Sequence, residues 1–349
     1  MYTGLSDLGS RAASLFSRTL LPVALDIGSV HTRIYAHEQL LFFGHTSLIS
    51  HRETGTLVSY GSKAFLQWDK IPPTLHGVRP MRAGVVADPA ALQQFLTAVF
   101  HSLNSRKSLV SLRTRAAIAV PGGVSPVESA QIRAALRETG LGNVQLVAKP
   151  VALFSWLHKT KLLDAKASVA LLDIGGESTE LAFFTSGELA YAATIPLGGQ
   201  QLVSAVRDWL REKLQLTAGA QEIAKIVSQL GPVADAKNAS ASRQIAIRGT
   251  HSVKGTIETV RVAVSEFGQI QETFLQELTT ELLYHFAQIP SGVISLGFER
   301  GMYVTGGVSQ MSGIASTLTE LFHTEILLSR TPVSDVVEGT YAWLTQNRR

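Results

Sequence analysis

Apolar and polar positions follow two rhythms along this chain. Short apolar runs closed by turn residues predict strands, and apolar spacing of three and four residues predicts helices. The strands fall at Val23–Ile27, Thr32–Tyr35, Leu40–Phe43, Arg115–Val120, Val144–Val147, Ser168–Asp173, Thr179–Phe184, Leu189–Ile195 and Met302–Thr305. Arg243–Arg248 and Thr256–Val262 read as a strand pair around a turn at His251–Gly255. Helices are expected at Pro89–Leu103, Pro126–Glu138, from Pro150 onward, and at Gln200–Leu214, Ala220–Leu230 and Glu266–Phe286. A further helix should follow Gly307 through Leu321, and a last one should span Val333–Leu344.

The pattern repeats. Val23-Ala-Leu-Asp-Ile-Gly-Ser29 and Ala170-Leu-Leu-Asp-Ile-Gly-Gly176 are one element written twice, a little under half the chain apart. Each is an apolar strand that ends in Asp-Ile-Gly, turns and returns as a second strand. Two halves that each open with a β-hairpin predict a duplicated α/β fold.

Composition narrows the possibilities. The 349 residues are 45% apolar and 17% charged, ample for substantial cores and against global disorder. The net charge of +4 is mild and dispersed, so no nucleic-acid partner is expected. The absence of cysteine excludes disulfide frameworks, zinc fingers, iron–sulfur clusters and thiol nucleophiles. No run approaches the length of a spanning helix and no secretory leader is legible, so a cytoplasmic protein is expected.

Residues 1–21 stand apart. Leu5, Leu8, Ala12, Leu15, Phe16 and Leu20 recur at helical spacing, opposite Ser6, Ser10, Arg11, Ser14, Ser17 and Arg18. Two readings fit: a helix lying in a membrane interface, and a terminal helix packed on its own domain.

The hairpin turns carry the candidate chemistry. Successive backbone N–H groups in such turns form anion-binding concavities, and glycine lets a phosphate come close. An aspartate beside each turn can hold the water shell of a divalent cation. Asp26, Gly28, Ser29 and Asp173, Gly175, Gly176 therefore form a candidate clamp for a Mg²⁺-nucleotide. The alternative for either copy alone is an ordinary turn after a buried strand. A third glycine element, Val304-Thr-Gly-Gly307, lies between a strand and a helix and suits a flat ring. The phosphate loop G-x-x-x-x-G-K-[ST], the dinucleotide G-x-G-x-x-G, the zinc motif H-E-x-x-H and the hydrolase elbow G-x-S-x-G are all absent.

Taken in order, these elements resemble the superfamily of actin, heat-shock chaperone ATPases and sugar kinases. Within it, the chain is similar to the MreB family of bacterial actins. The matching segments are Leu25–Tyr35, Arg79–Asp88, Val120–Glu128, Lys149-Pro-Val-Ala152, Leu172–Glu180, Leu197-Gly-Gly199, Tyr303–Gly307 and Thr331–Thr340, within a span from about Pro22 to Leu344. The resemblance implies an actin-like bilobed α/β fold: two duplicated halves around a nucleotide cleft, each with a small inserted subdomain. It divides the chain into residues 22–37, 81–164 and 331–349 for the first core subdomain and 38–80 for its insertion. The second core would be 165–199 and 265–330, and its insertion 200–264. ATP and Mg²⁺ are the implied cofactors, with Asp26 and Asp173 placing the metal through water. Gly28, Ser29, Gly175 and Gly176 would cradle phosphates, Glu222 and Lys225 would meet the ribose and base, Gly306 and Gly307 the adenine, and Gly198 and Gly199 would also belong to the cofactor site. Glu128 matches the residue that orients the attacking water, with Thr179 beside it, for a slow ATPase coupled to polymerisation. From its position at the start of a helix, Glu128 also reads as a plain cap. Glu177 stands where the family has a third glycine, and its charge would repel a γ-phosphate unless it points away.

The loop Ser105–Arg115 lies where MreB proteins carry a membrane-inserting loop. Leu109, Val110 and Leu112 sit in a collar of Arg106, Lys107, Arg113 and Arg115, suited to an anionic inner leaflet. A hairpin partly packed on the core is the competing reading. The resemblance implies a membrane-associated filament of copies of this chain, a cell-shape scaffold that meets cell-wall or membrane proteins. The alternatives are a non-filamentous adaptor like FtsA or PilM and a small-molecule kinase, the latter disfavoured because Val120–Glu128 offers no aspartate base.

Overall fold

The computed structural model describes residues 20–105, 114–137, 139–141, 144–230 and 243–347. Residues 1–19 and 106–113, which hold most of the two membrane-facing segments expected from sequence, lie outside that set.

Two five-stranded sheets form the frame. In the first, the strand order is Val144–Ala148, Thr114–Val120, Leu21–Ile27, His31–Ala36 and Gln39–His45. In the second it is Ile326–Leu328, Met302–Thr305, Val169–Ile174, Thr179–Thr185 and Glu188–Ile195. The two orders are the same topology used twice. In each, the Asp-Ile-Gly strand sits centrally, pairs antiparallel with the strand it turns into and runs parallel to a later strand. These central strands are buried on both faces, which explains why Val-Ala-Leu and Ala-Leu-Leu run unbroken by polar residues.

Helices cover the sheets. Pro89–Ser105 packs Leu92, Phe95, Leu96, Val99 and Phe100 onto the first sheet together with Ile132 and Leu136 of Pro126–Arg137. Gly268–Phe286 and Ile314–Phe322 do the same for the second through Phe274, Leu278, Leu282 and Leu318. A separate core joins the halves: Leu153, Phe154, Trp156 and Leu157 of Lys149–Lys159 meet Val169, Leu171, Phe184 and Tyr303 of the second sheet, and Phe154 stacks on Phe184 at 4.5 Å. On the same side, Asp335 opens the Asp335–Gln346 helix with its carboxylate buried. It accepts hydrogen bonds from the hydroxyls of Tyr303 (3.0 Å), Thr305 (2.7 Å) and Thr331 (2.7 Å), fastening this helix to the second sheet.

Each half carries a smaller sheet above the frame. Leu48–His51 pairs with Leu57–Tyr60 and Leu75–Val78, within residues 38–80. Leu216–Ala218, Gln244–His251 and Ile257–Ala263 form the other, within residues 200–264. The first small sheet is not foreseen from sequence, because its strands are only four residues long and mix Ser, His and Gly with their apolar positions. Two expected helices also begin later than their periodicity implies. Val264–Phe267 is a 3₁₀ turn ahead of Gly268–Phe286, and Gly307–Gln310 is another ahead of Ile314–Phe322. Gly313 separates the latter pair at a positive φ of 91°, a conformation that favours glycine and ends helical continuity.

Candidate functional site

The hairpin turns face each other across a cavity of about 460 Å³ between the halves. They are built alike. Gly28 N–H donates to His31 O at 3.0 Å, and Gly175 N–H donates to Ser178 O at 2.9 Å. Those two glycine amides close the turns. The next amides, of Ser29, Val30, Gly176 and Glu177, donate to no acceptor among the described residues, and all four residues line the cavity. That is the arrangement that receives an anion. The turns also touch: a Cβ on Gly176 would run into Val30 Cγ2, so the second loop needs glycine for the first to seat against it.

The registers place a charged residue opposite each aspartate. Asp26 lies across from Arg33, and Asp173 across from Glu180. Asp26 Oδ2 accepts a hydrogen bond from Arg33 Nη1 at 2.9 Å, and its Oδ1 lies 3.9 Å from Lys149 Nζ. Burial pushes the Asp173 carboxyl up to about 6. Lys149 opposes that shift, and the Asp26 and Glu180 carboxylates add to it. Burial works against the Lys149 ammonium, but Asp26, Asp173 and Glu180 outweigh it and hold its pKa above the ordinary value. Burial likewise raises Glu180, against Lys149 and the hydrogen bonds that its Oε2 accepts from Gly122 N–H and Thr194 Oγ1. Two histidines near the first hairpin stay neutral: burial and neighbouring cations lower His31 to about 3 and His45 to about 4.

Of the residues proposed from sequence, Asp26, Gly28, Ser29, Asp173, Gly175, Gly176, Gly199, Gly306 and Gly307 line this one cavity. Gly306, at φ 91°, packs against Asp173 Oδ1 and Ile174 O so closely that no side chain fits there. Gly198 lies behind the second turn, where an added Cβ would press on Gly175 O and Glu177 N. Its amide is capped by Gln201 Oε1 at 3.0 Å. The remaining four are placed elsewhere. Glu222 Oε2 accepts from Arg248 N–H, and Lys225 Nζ donates to Ala246 O, so both face the small sheet. The cavity instead receives Ala220, Ala224, Val227 and Ser228 of the same helix, the i, i+4, i+7 and i+8 face that is left when Ile223 and Ile226 enter the small-sheet core. Glu128 forms a capping box with Ser125: its Oε2 accepts from Ser125 N–H at 2.8 Å, while its own N–H donates to Ser125 Oγ at 3.2 Å. The Thr179 hydroxyl is fully buried and donates to Leu197 O at 2.8 Å. Neither Glu128 nor Thr179 forms part of the cavity wall.

Glu177 points away from the hairpin turn it belongs to. Its Oε2 accepts from Ala83 N–H at 2.7 Å, and its Oε1 lies 3.8 Å from Arg79 Nη1, both on the other half. The Arg82-Ala83-Gly84 turn is thereby tied to both hairpins, since Gly84 N–H also donates to Ser29 Oγ at 2.9 Å. Arg79 Nη1 donates to Gln200 Oε1 at 3.2 Å, and its guanidinium lies over Trp68. Sequence reasoning gave no role to Lys149, Arg33, Arg79 or Glu180. The hairpin register, countable from Asp-Ile-Gly, could have revealed Arg33 and Glu180. Lys149 and Arg79 reach the site only through tertiary packing.

The divalent cation that the resemblance implies fits this donor set poorly. One oxygen of Asp26 is bonded to a guanidinium and the other faces an ammonium. Among the described residues, no group of three or more side chains is arranged to hold a metal.

A family model described as MreB/Mbl protein matches residues 21–349. The cell shape-determining protein MreB of Escherichia coli (strain K12) is 23% identical over 330 residues, 93% of this chain and 92% of that protein. The cell shape-determining protein Mbl of Bacillus subtilis (strain 168) is 22% identical over 328 residues, 91% of this chain and 94% of that one. Among solved structures, MreB5 of Spiroplasma citri bound to ADP superposes with a TM-score of 0.83 at 19% identity, over 94% of this chain and 97% of that chain. A MamK double helical filament superposes with a TM-score of 0.75 at 17% identity, over 94% and 99%. The fold is the actin-like one that the resemblance implies.

Proposed function

The chain belongs to the MreB/Mbl family, and from that premise we propose that it is a nucleotide-binding bacterial actin. It binds ATP between its halves and polymerises into filaments that act as a cytoskeletal scaffold in cell shape or wall synthesis. One observation carries the nucleotide reading: two like hairpins present unbonded amides to one cavity of a size that suits a small molecule. A similar structure, MreB5 of Spiroplasma citri, has been solved with ADP and with AMPPNP, which supports the same reading. Phosphates would sit on the Ser29–Val30 and Gly176–Glu177 amides. The base would lie near Gly306, Gly307 and the Ala224–Ser228 face. Because Glu128 and Thr179 are both engaged in structural hydrogen bonds, nucleotide occupancy and closure, ahead of rapid hydrolysis, form the working cycle.

The MamK filament supports self-association, and the relatives' names support a role in cell shape. Head-to-tail packing of one surface on a different one gives an open polymer. No described helix is long and apolar enough to cross a membrane. Attachment to the inner face of the cell membrane would fall to residues 1–21 and to Leu109, Val110 and Leu112. Electron microscopy of the purified chain with ATP on anionic liposomes tests the whole reading. Filaments lying on the vesicles are expected, and a monodisperse monomer with ATP bound would favour the adaptor reading instead.

A further inference from the structure

Among the described residues, the ion-pair partner of Lys149 is Asp26, and its ammonium makes no hydrogen bond to any of them. Its side chain is 14% exposed and lines the nucleotide cavity. Three N–H donors thus point into a site whose other half is a set of unbonded backbone amides. Arg33 completes the arrangement from the neighbouring strand. The hairpin register fixes it opposite Asp26, and the Phe43 ring lies under its guanidinium at 5.3 Å. Both cations stand on rigid elements, Lys149 at the first position of a helix and Arg33 in mid-strand.

Resting on the nucleotide reading above, we propose that Lys149, with Arg33 neutralising Asp26, replaces the divalent cation in this site, so that nucleotide phosphates bind without metal. The carboxylates Asp26, Asp173 and Glu180 gather round Lys149 and would, without it, repel a polyphosphate. A hydrated dication could offset the same charge, but of the two aspartates that would hold its waters, Asp26 and Asp173, one oxygen of Asp26 already bonds to Arg33 at 2.9 Å and the other faces Lys149 at 3.9 Å. It would also sit beside two fixed positive charges. The chain therefore supplies the counter-charge itself. A lysine beside a phosphate is a strong charge-assisted donor at no cost in metal affinity.

Titration calorimetry of ATP and of ADP into the full chain tests this, once with excess magnesium and once with excess EDTA. The unaltered protein is expected to keep its affinity within about threefold between the two buffers. Lys149→Met should lose about tenfold or more in EDTA, and Lys149→Arg should restore most of it, as expected for a charge-assisted hydrogen bond to phosphate. A fall of about a hundredfold in the unaltered protein on chelation would overturn the proposal, and that comparison needs no variant to fold. Equal metal-free affinity in Lys149→Met, with a thermal melt showing it folded, would also overturn it. Absence of binding in both buffers would instead strike the nucleotide reading on which it rests.

Discussion

Asp173 is the residue on which acidity should act. Its carboxyl titrates near 6 in the folded chain against an ordinary value of 3.8, chiefly because it is buried. A raised carboxylate favours the protonated folded state, so its ionisation costs stability as pH rises from about 4 through about 6. Asp173→Asn removes that cost. In nucleotide-free protein it should raise the thermal midpoint at pH 7.5, by the equivalent of roughly 2–3 kcal/mol. The gain should shrink as pH falls through 6 and vanish below about 4. A gain of the same size at every pH would mean that the ionised carboxylate is not the destabilising group. Glu128 is a different case, since its contacts are those of a capping box. Glu128→Ala should cost about 0.5–2 kcal/mol in denaturant unfolding and leave ATP affinity unchanged. A large loss of phosphate release, with stability intact, would return Glu128 to the chemistry.

At the scale of the element, the Ala220–Gln229 helix shows how one segment serves two surfaces. Ile223 and Ile226 are buried in the small-sheet core, Glu222 and Lys225 reach the Gln244–His251 strand, and Ala224 with Ser228 faces the cavity between the halves. Small residues on the third face leave room for a ligand, and a larger side chain would fill it. Ala224→Leu should therefore weaken ATP binding by about tenfold or more, whereas Glu222→Ala should change it by less than about twofold. Calorimetry on both variants separates the faces, and the reverse order of effects would place the base against Glu222 after all.

Across the whole molecule, the halves are held by contacts on both sides of the cleft. Behind it lie the Asp335 hydroxyl network and the core shared by Lys149–Lys159 and the second sheet. In front lie Glu177 on Ala83 and Arg79, Arg79 on Gln200, and Asp69 Oδ2 accepting from Ala220 N–H at 2.5 Å. The rear contacts are buried and the front ones are polar and part-exposed, so opening should begin at the front. Glu177→Gly removes two of the front contacts. It should speed hydrogen exchange around residues 82–84 by about tenfold and enlarge the radius of gyration in solution scattering. Unchanged exchange there would show that Glu177 does not latch the halves. Membrane attachment also belongs to this scale, because a filament multiplies a weak contact across its subunits. Polymer should sediment with anionic liposomes far more than monomer does. Deleting residues 2–20 together with Leu109→Ser and Leu112→Ser should abolish this without preventing polymerisation. Sedimentation equal to that of the unaltered chain would assign those segments to packing instead.

The chain's own residues determined the frame. Apolar strands ending in Asp-Ile-Gly at two places announce two central, doubly buried strands and two tight turns facing one cavity, because a strand buried on both faces and a turn that closes on glycine each restrict local composition severely. Local signals of that kind are readable without a partner. The place of Glu128 in the first turn of a helix is readable too, and a plain cap competes there with the catalytic reading. What the tertiary structure alone decided is how distant charges meet. Lys149 stands 123 positions from Asp26 along the chain, and Glu177 meets Ala83 across a separation of 94. No periodicity encodes such distances. They follow from which sheet edge a helix covers and how closely two glycine turns can seat. The face of the Ala220–Gln229 helix that looks into the cavity was fixed the same way, by the core that Ile223 and Ile226 had to reach. The sign and partners of the charge in the cavity between the hairpins are therefore properties of the folded chain, while the paired turns that frame it are a property of the sequence.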